Sequence, residues 1–226
     1  MGKWHVERAT TLPRWVWWWR PPSMKAIAHG TAVTAADGTF ALDFTAEADR
    51  TIPEKNEPTF AYTIHADVTD TTGETRSEDR TIRAGYTALK ASLLADQWQT
   101  PQKPVEFMIE TDSLNGDAQP ANGKLTINAL KQPVKVERAS LQRTQYSWGG
   151  NQIEPGVDPA NPDSWELGAV VAEQPFATDV TGKTKASATL QAGIYRATLE
   201  TKDRFGKIVT ARLTVEVIDP QAGHYD

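Results

Sequence analysis

The feature that most constrains the fold is a hairpin signature that the chain carries twice. YTIHADVTDTTGETR (Tyr62–Arg76) and YRATLETKDRFGKIV (Tyr195–Val209) share the same spacing of Tyr, Asp and Gly. Apolar and polar residues alternate before the Asp, which is typical of a strand with one buried face. A Gly at the end of the turn accepts a left-handed conformation at little cost. The pattern predicts two hairpins, each the last hairpin of a β-sandwich, with a Tyr placed as in the tyrosine corner of immunoglobulin-like folds.

In the first copy, the alternation separates an apolar face from a polar one. The apolar face holds Tyr62, Ile64, Ala66 and Val68, and the polar face holds Thr63, His65, Asp67 and Thr69. The return strand, Glu74–Arg83, is almost wholly polar. Charged edge strands protect a sheet against pairing with other chains, so we predict that this strand lies at a sheet edge.

A further hairpin is predicted around Asp37-Gly38, because Asp-Gly favours a tight two-residue turn. With these residues at the tip, the cross-strand pairs are Ala35 with Phe40, Val33 with Leu42 and Thr31 with Phe44. The sequence therefore predicts paired strands over residues 31–46 with one apolar face.

Short alternating segments separated by turn residues dominate the rest of the chain. They predict a strand within Thr87–Trp98, where Leu89, Ala91 and Leu93 alternate with polar residues, and further strands at Val105–Thr111, Lys124–Leu130, Val134–Arg138, Ala169–Gln174 and Lys185–Leu190. Arg143–Gly168 is rich in Gly and Pro and predicts a long loop. The chain is thus expected to be all-β, with two tandem immunoglobulin-like, fibronectin III-like antiparallel β-sandwiches at residues 1–85 and 86–219 and a tail at 220–226.

Charge and composition exclude several classes of protein. Residues 1–86 carry 10 Lys and Arg against 12 Asp and Glu, and residues 87–226 carry 14 against 17, so the halves have net charges of −2 and −3. Neither half has the basic surface that a nucleic-acid binder needs. The chain has no cysteine, which excludes disulfides and thiolate chemistry. It shows no signal peptide and no apolar run as long as a membrane span.

Candidate chemical groups are sparse. The histidines His5, His29, His65 and His224 lack metal-ligand spacing, although His65 and Asp67 share a strand face and could begin a two-ligand site. A solvated face is the favoured interpretation. The acidic stretch Asp158–Asp163 could hold Ca²⁺, but a turn stiffened by proline is favoured. We expect no catalytic residue, no cofactor and no metal.

The aromatic cluster PRWVWWWRPP (Pro13–Pro22) is the strongest oddity of composition. Its candidate interface residues are Trp15, Trp17, Trp18, Trp19 and Arg20, and the Arg could stack on an indole. Packing within or between domains is favoured for the indoles. Stacking on sugar rings is the alternative.

Three motifs resemble the bacterial α2-macroglobulin family. VTDTTGETR (Val68–Arg76) is similar to the family's VTDxxGETR, and Gly30 with TAADGTF (Thr34–Phe40) is similar to its G…TDxxGxF hairpin, with Ala35 in place of the usual Asp. WWWRPP (Trp17–Pro22) leads into that hairpin as in the family. TKDRFGKIVT (Thr201–Thr210) is a weaker fourth match. The resemblance covers residues 4–218.

The resemblance implies that the chain consists of macroglobulin-type β-sandwiches from the region ahead of the thioester. It also implies that the whole protein is a proteinase-trapping inhibitor that is secreted or anchored in the envelope, and is therefore periplasmic or extracellular. In this family, the first domain would begin upstream of the position that Met1 occupies here. The first unit is therefore expected to lack one or two strands. Because the chain has no cysteine, it cannot carry the Cys–Gln thioester. The expected role is therefore a non-enzymatic scaffold whose partners are other domains of the same protein, and proteinases only through that whole protein. A carbohydrate-binding or adhesive module that uses Trp15–Trp19 is the alternative.

Overall fold

The computed structural model describes residues 2–13, 15–16, 24–96, 99–134 and 156–221. Its contacts divide the chain into two compact units, Met1–Ala88 and Leu89–Asp226. Most of the described residues lie in strands. The helices within the described residues are two 3-10 turns of three residues each. Within the described ranges, no helix is long and apolar enough to span a membrane. The chain is all-β with antiparallel sheets, as predicted.

The described residues of the first unit form a four-stranded antiparallel sheet. Its strands are β1 (Gly2–Thr11), β2 (Lys25–Ala32), β3 (Thr59–Thr69) and β4 (Thr75–Gly85), in the order β2-β1-β3-β4. The return strand β4 lies at the sheet edge and is exposed along its whole length, which confirms the prediction of a polar edge strand.

Residues 33–58 cover part of one face of this sheet without forming strands. Beneath them lie Val6, Phe60 and Tyr62, which are at most 2% exposed, and Phe44 packs against Tyr62 with ring centroids 6.1 Å apart. The predicted hairpin over residues 31–46 is therefore wrong in its strands, although its turn exists. The covering segment gains its fixed position from side chains and a short 3-10 turn at Glu54–Asn56 instead of from strand pairing.

Arg8 anchors this covering segment to β1. Its Nη2 donates to Asp49 Oδ2 at 2.8 Å, and its Nη1 donates to the carbonyl of Glu47 at 2.9 Å. Asp49 Oδ1 also accepts from the backbone and hydroxyl of Thr51. The Thr51 hydroxyl and the Arg8 charge hold the pKa of Asp49 below its usual range, against the opposing effect of burial.

The second unit is a sandwich of two antiparallel sheets. Its strands are β5 (Lys90–Ala95), β6 (Val105–Asp112), β7 (Asn122–Leu130), β8 (Leu167–Ala177), β9 (Lys183–Ala188), β10 (Gly193–Lys202) and β11 (Ile208–Val217). The sheets are β5-β6-β9 and β8-β7-β10-β11. This arrangement is that of an immunoglobulin-like domain of the fibronectin III kind.

The core of the second unit lies between these sheets. It includes Val105, Phe107, Ile109, Leu125, Ile127, Ala197 and Leu199, none of which is exposed to solvent. The hydroxyl of Tyr195, near the start of β10, donates to the carbonyl of Gln191 at 3.0 Å. This contact is a tyrosine corner and confirms the prediction for the second hairpin copy.

Most of the strands predicted for the second half are confirmed. Of the predicted strand Val134–Arg138, only Val134 lies within the described residues, where it is exposed and not in a strand. The predicted loop Arg143–Gly168 is described from residue 156 onward, and that part is ordered by a 3-10 turn at Pro162–Ser164 and by Trp165, which is 3% exposed. The N-terminal strand β1 was not predicted from the sequence.

Candidate functional site

One five-residue turn recurs in both units. In each copy, the N–H of the first residue donates to the carbonyl of the fifth residue. The fourth residue is a glycine whose φ lies between 71° and 95°, and its N–H donates to the carbonyl of the first residue. The copies span residues 35–39, 70–74, 113–117, 179–183 and 203–207. The positive φ explains the glycine, because other residues are strained in this conformation.

A side chain at the first position closes four of these turns. Asp70 Oδ1 accepts from the N–H groups of Thr72 at 2.8 Å and Glu74 at 3.0 Å. Asp179, Asp203 and Ser113 accept in the same way. The hydroxyl of Thr72, followed by backbone N–H groups, lowers the pKa of Asp70. The family-like VTDTTGETR motif thus folds as a structural turn.

The turn at residues 35–39 is the exception. Ala35 offers no side-chain acceptor, and Asp37 instead accepts from the backbone of Thr39 at 3.0 Å and from its hydroxyl at 2.7 Å. The other half of this family-like motif, Gly30, also has a structural explanation. A Cβ on Gly30 would lie 2.6 Å from the ring of Trp4, so only glycine fits beneath this indole.

A ladder of polar side-chain pairs joins β3 and β4 on the face away from the core. The pairs are Thr63–Thr81 at 3.0 Å, His65–Asp79 at 2.7 Å, Asp67–Ser77 at 2.5 Å and Thr69–Thr75 at 2.8 Å. The predicted polar face of β3 is therefore confirmed. Asp67 accepts from the hydroxyl of Ser77 and His65 pairs with Asp79, so His65 and Asp67 each have a separate partner across the strand pair.

Three histidines lie in one row across this polar face. His29 on β2 pairs with His5 on β1, which pairs with His65 on β3, which pairs with Asp79 on β4. The rings of His5 and His65 stack with centroids 4.6 Å apart, and Glu7 Oε2 lies 3.8 Å from His65 Nε2. Sequence reasoning missed this row because it depends on the register of β1 and β2, which were not predicted.

The opposite face of the same sheet opens into a groove near the tip of the β3–β4 hairpin. The groove has a volume of about 470 Å³ and is lined by Phe40, Ala66, Val68, Arg76, Ser77 and Glu78. Phe40 is 38% exposed. The covering segment therefore does not fully close the apolar face at this end of the hairpin.

The aromatic cluster is described only in part. Trp15 is half-buried and precedes Val16, which is 2% exposed. Trp17, Trp18, Trp19 and Arg20 lie outside the described residues. The prediction that these indoles pack within or between domains, and the alternative that they stack on sugar rings, both stay predictions.

The acidic stretch Asp158–Asp163 is folded onto β10 and β11. Asp163 Oδ1 accepts from the hydroxyl of Thr214 at 2.5 Å, and Arg196 Nη2 donates to the carbonyl of Pro162 at 2.7 Å. Burial lowers the pKa of Arg196, and the charge of Asp163 opposes this effect. Asp158 uses Oδ1 to accept from the N–H of Ala160, so the two carboxylates serve different local bonds.

Comparison with known proteins gives distant structural likeness. No protein-family model matches the chain, and no curated protein matches its sequence. Escherichia coli alpha-2-macroglobulin activated by porcine elastase is similar at 14% identity and a TM-score of 0.37, over 97% of this chain and 20% of that one. A tetra-tandem repeat in the extending region of a large adhesion protein is similar at 13% identity and a TM-score of 0.31, over 95% and 42% of the two chains.

A 1.5-MDa bacterial ice-binding adhesin is similar at 9% identity and a TM-score of 0.27, over 95% of this chain and 54% of that one. The chain therefore spans between 20% and 54% of the length of these three solved chains.

Proposed function

We propose that this chain is a structural scaffold segment of a bacterial α2-macroglobulin-like, broad-spectrum proteinase inhibitor of the cell envelope, periplasm or exterior. In this proposal it catalyses nothing and carries neither thioester nor bait segment. It holds the reactive parts of the same protein in place, and it meets proteinases only through that whole protein.

The observation that carries the proposal is the repetition of one four-stranded sheet with its closing hairpin. The sheets β2-β1-β3-β4 and β8-β7-β10-β11 have the same strand order. In each sheet, the second strand in chain order lies at one edge, and the first, third and fourth strands lie beside it in that sequence. Both end in a hairpin closed by the same five-residue turn.

The family-like motifs support a structural role as well. VTDTTGETR closes the β3–β4 hairpin through Asp70, and Gly30 makes room for Trp4. These residues stabilise the fold of the first unit, which is the work expected of a scaffold.

Two measurements test the proposal. The purified chain, mixed with serine and metalloproteinases, should form no stoichiometric trapped complex on native gels. The DNA that flanks the coding segment should encode a CxEQ thioester motif downstream. Trapping by the chain alone, or a complete flanking gene without further macroglobulin-like domains, would overturn it.

The alternative, a carbohydrate-binding or adhesive module, is separated by tryptophan fluorescence. A saturable shift on titration with polysaccharides, lost in Trp17→Ala or Trp18→Ala, would favour the alternative. Unchanged emission in the parent chain and both variants would favour the scaffold.

A further inference from the structure

The chain contains two Asn-Gly pairs, Asn115–Gly116 and Asn122–Gly123. Such a pair can react with itself, because the main-chain nitrogen of the glycine can attack the side-chain amide of the asparagine and close a five-membered ring. Glycine has no Cβ that would hinder this attack. The structure places the two pairs in opposite environments, since one lies in an exposed turn and the other in a central strand of a sheet.

Asn115–Gly116 lies in the five-residue turn at 113–117, between β6 and β7. Both residues of the pair are exposed, and Gly116 has a φ of 95°. The turn is closed by the N–H of Gly116, which donates to the carbonyl of Ser113 at 3.0 Å, and by Ser113 Oγ, which accepts from the N–H of Asp117 at 3.1 Å. Exposed turns open locally at a low cost in free energy, so the reacting atoms are accessible to solvent base and water.

Asn122–Gly123 forms the start of β7, which lies between β8 and β10. Gly123 is in register with Phe176 on one side and with Thr201 on the other. The carbonyl of Asn122 accepts from the hydroxyl of Thr201 at 2.6 Å, and a Cβ on Gly123 would lie 2.1 Å from the carbonyl oxygen of Glu200. The main chain of this pair is therefore held extended by neighbours on both sides, and ring closure would require the loss of sheet pairing.

From this contrast we propose that Asn115 is a site of spontaneous deamidation and that the sheet protects Asn122. The nitrogen of Gly116 bonds to Cγ of Asn115, the bond from Cγ to the side-chain nitrogen breaks, and ammonia leaves with the proton that the Gly116 nitrogen gave up. Water then opens the resulting succinimide ring at either carbonyl, which gives aspartate or isoaspartate at this position. Water is the only co-reactant, and nothing is oxidised or reduced.

The turn at residues 35–39 carries Asp37–Gly38 at the same two positions. Asp37 Oδ1 accepts from the hydroxyl of Thr39 at 2.7 Å and from its N–H at 3.0 Å. The hydroxyl, followed by the N–H, lowers the pKa of Asp37 and so favours the carboxylate. A carboxylate resists attack by a nitrogen nucleophile because it is already negative. The same turn therefore holds a reactive pair at Asn115 and an unreactive pair at Asp37.

The products change the loop that joins the two sheets of the second unit. Isoaspartate adds one methylene to the main chain of a turn that is closed by a 2.7 Å bond from the N–H of Ser113 to the carbonyl of Asp117. Both products also add a carboxylate two residues before Asp117. Hydrogen exchange should therefore increase in residues 112–119 as the chain ages, while β7 keeps its protection.

Storage of the full chain at mildly alkaline pH, followed by peptide mapping with tandem mass spectrometry, tests the proposal. Asn115 should convert at least about tenfold faster than Asn122, because local opening costs almost nothing in exposed turns and up to the global free energy in core strands. In urea that unfolds the chain, both asparagines should convert at similar rates, since each precedes a glycine. Asn115→Gln should prevent conversion at this position.

Asp37→Asn is the matched variant, because it places an Asn-Gly pair in the same turn of the first unit. It should convert at a rate similar to that of Asn115, and circular dichroism verifies that each variant is folded. The proposal is overturned if Asn115 stays intact in the folded chain while it converts in urea, if Asn122 converts as fast as Asn115 in the folded chain, or if the folded Asp37→Asn variant shows no conversion at position 37.

Discussion

The two units of this chain carry sheets of the same strand order and cover them in different ways. In the second unit, the three-stranded sheet β5-β6-β9 lies over β8-β7-β10-β11 and closes a large apolar core. In the first unit, a segment without strands covers part of β2-β1-β3-β4 and leaves a groove at one end. The same sheet can thus be stabilised by a second sheet or by an anchored loop, and the two solutions bury different amounts of apolar surface.

The contrast is clearest four residues after each tyrosine of the repeated signature. Leu199 lies four residues after Tyr195 and has no exposed surface. Ala66 lies four residues after Tyr62, is half-buried and lines the groove. A large side chain therefore occupies the position where a second sheet covers it, and a small one where the face is open.

The largest expected effect comes from exchanging the size of these two residues. Leu199→Ala removes a side chain packed between two sheets and should destabilise the second unit by about 3–4 kcal/mol. Ala66→Leu adds a side chain where space is open, so it should change the free energy of unfolding of the first unit by less than about 1 kcal/mol.

Urea unfolding followed by hydrogen exchange of β3 and β10 peptides would assign each change to its unit. A loss of stability in Ala66→Leu as large as that in Leu199→Ala would show that the groove is closed by neighbouring side chains, and the comparison would fail.

The next effect concerns the anchor that replaces a second sheet. Arg8 and Asp49 are 8% and 9% exposed, and their ion pair fixes the covering segment. Arg8→Ala leaves Asp49 without its cation and should cost the first unit about 3 kcal/mol. Hydrogen exchange should rise first in residues 44–52.

Arg50→Ala is the matched control, because Arg50 adjoins Asp49 in sequence and is exposed. It should alter the free energy of unfolding by no more than about 0.5 kcal/mol. Equal losses in the two arginine variants would mean that general charge, and not the anchor, stabilises the segment.

These differences mark where sequence reasoning succeeds. Alternation identified the two faces of β3, and the Asp-x-x-Gly pattern identified both turns, because these features depend on residues close together in the chain. The prediction of a hairpin over residues 31–46 is wrong because Phe40, Leu42 and Phe44 alternate with small or polar residues as in a strand, whereas strand formation also needs a partner at hydrogen-bonding distance.

The row of histidines across β2, β1 and β3 shows the same limit. His5, His29 and His65 are scattered in the sequence and meet only through the register of β1 with its neighbours. Register is set by the burial of a whole face, as a shift of one residue would move every side chain to the other side. Val6 and Arg8, both buried on the opposite face, fix His5 and Glu7 on the polar one.

A smaller effect is expected at the tyrosine corner of the second unit. Tyr195→Phe removes the hydroxyl that donates to Gln191 and keeps the ring. The loss of one hydrogen bond should cost about 1 kcal/mol of unfolding free energy. Denaturant titration measures it, and an unchanged midpoint would mean that the ring alone fixes this loop.

The smallest effects compare the turns themselves. Asp70→Ala removes the acceptor of the β3–β4 turn and should lower the melting temperature slightly at neutral pH, whereas Ala35→Asn supplies an acceptor to the exceptional turn and should raise it slightly. The pKa of Asp70 is lower in the folded chain than its ordinary value of 3.8, so its contribution is fully present above pH 3.8 and is lost as the pH falls through the lower, folded pKa. The melting temperature of Asp70→Ala should therefore lie below that of the parent at neutral pH, and the two should converge once the pH is below the folded pKa of Asp70. The neutral Asn in Ala35→Asn has no carboxyl to titrate, so its advantage should persist in acid. A deficit of Asp70→Ala that is equally large in acid would mean that the charge of Asp70 contributes nothing to the turn, and that the shape of its side chain suffices.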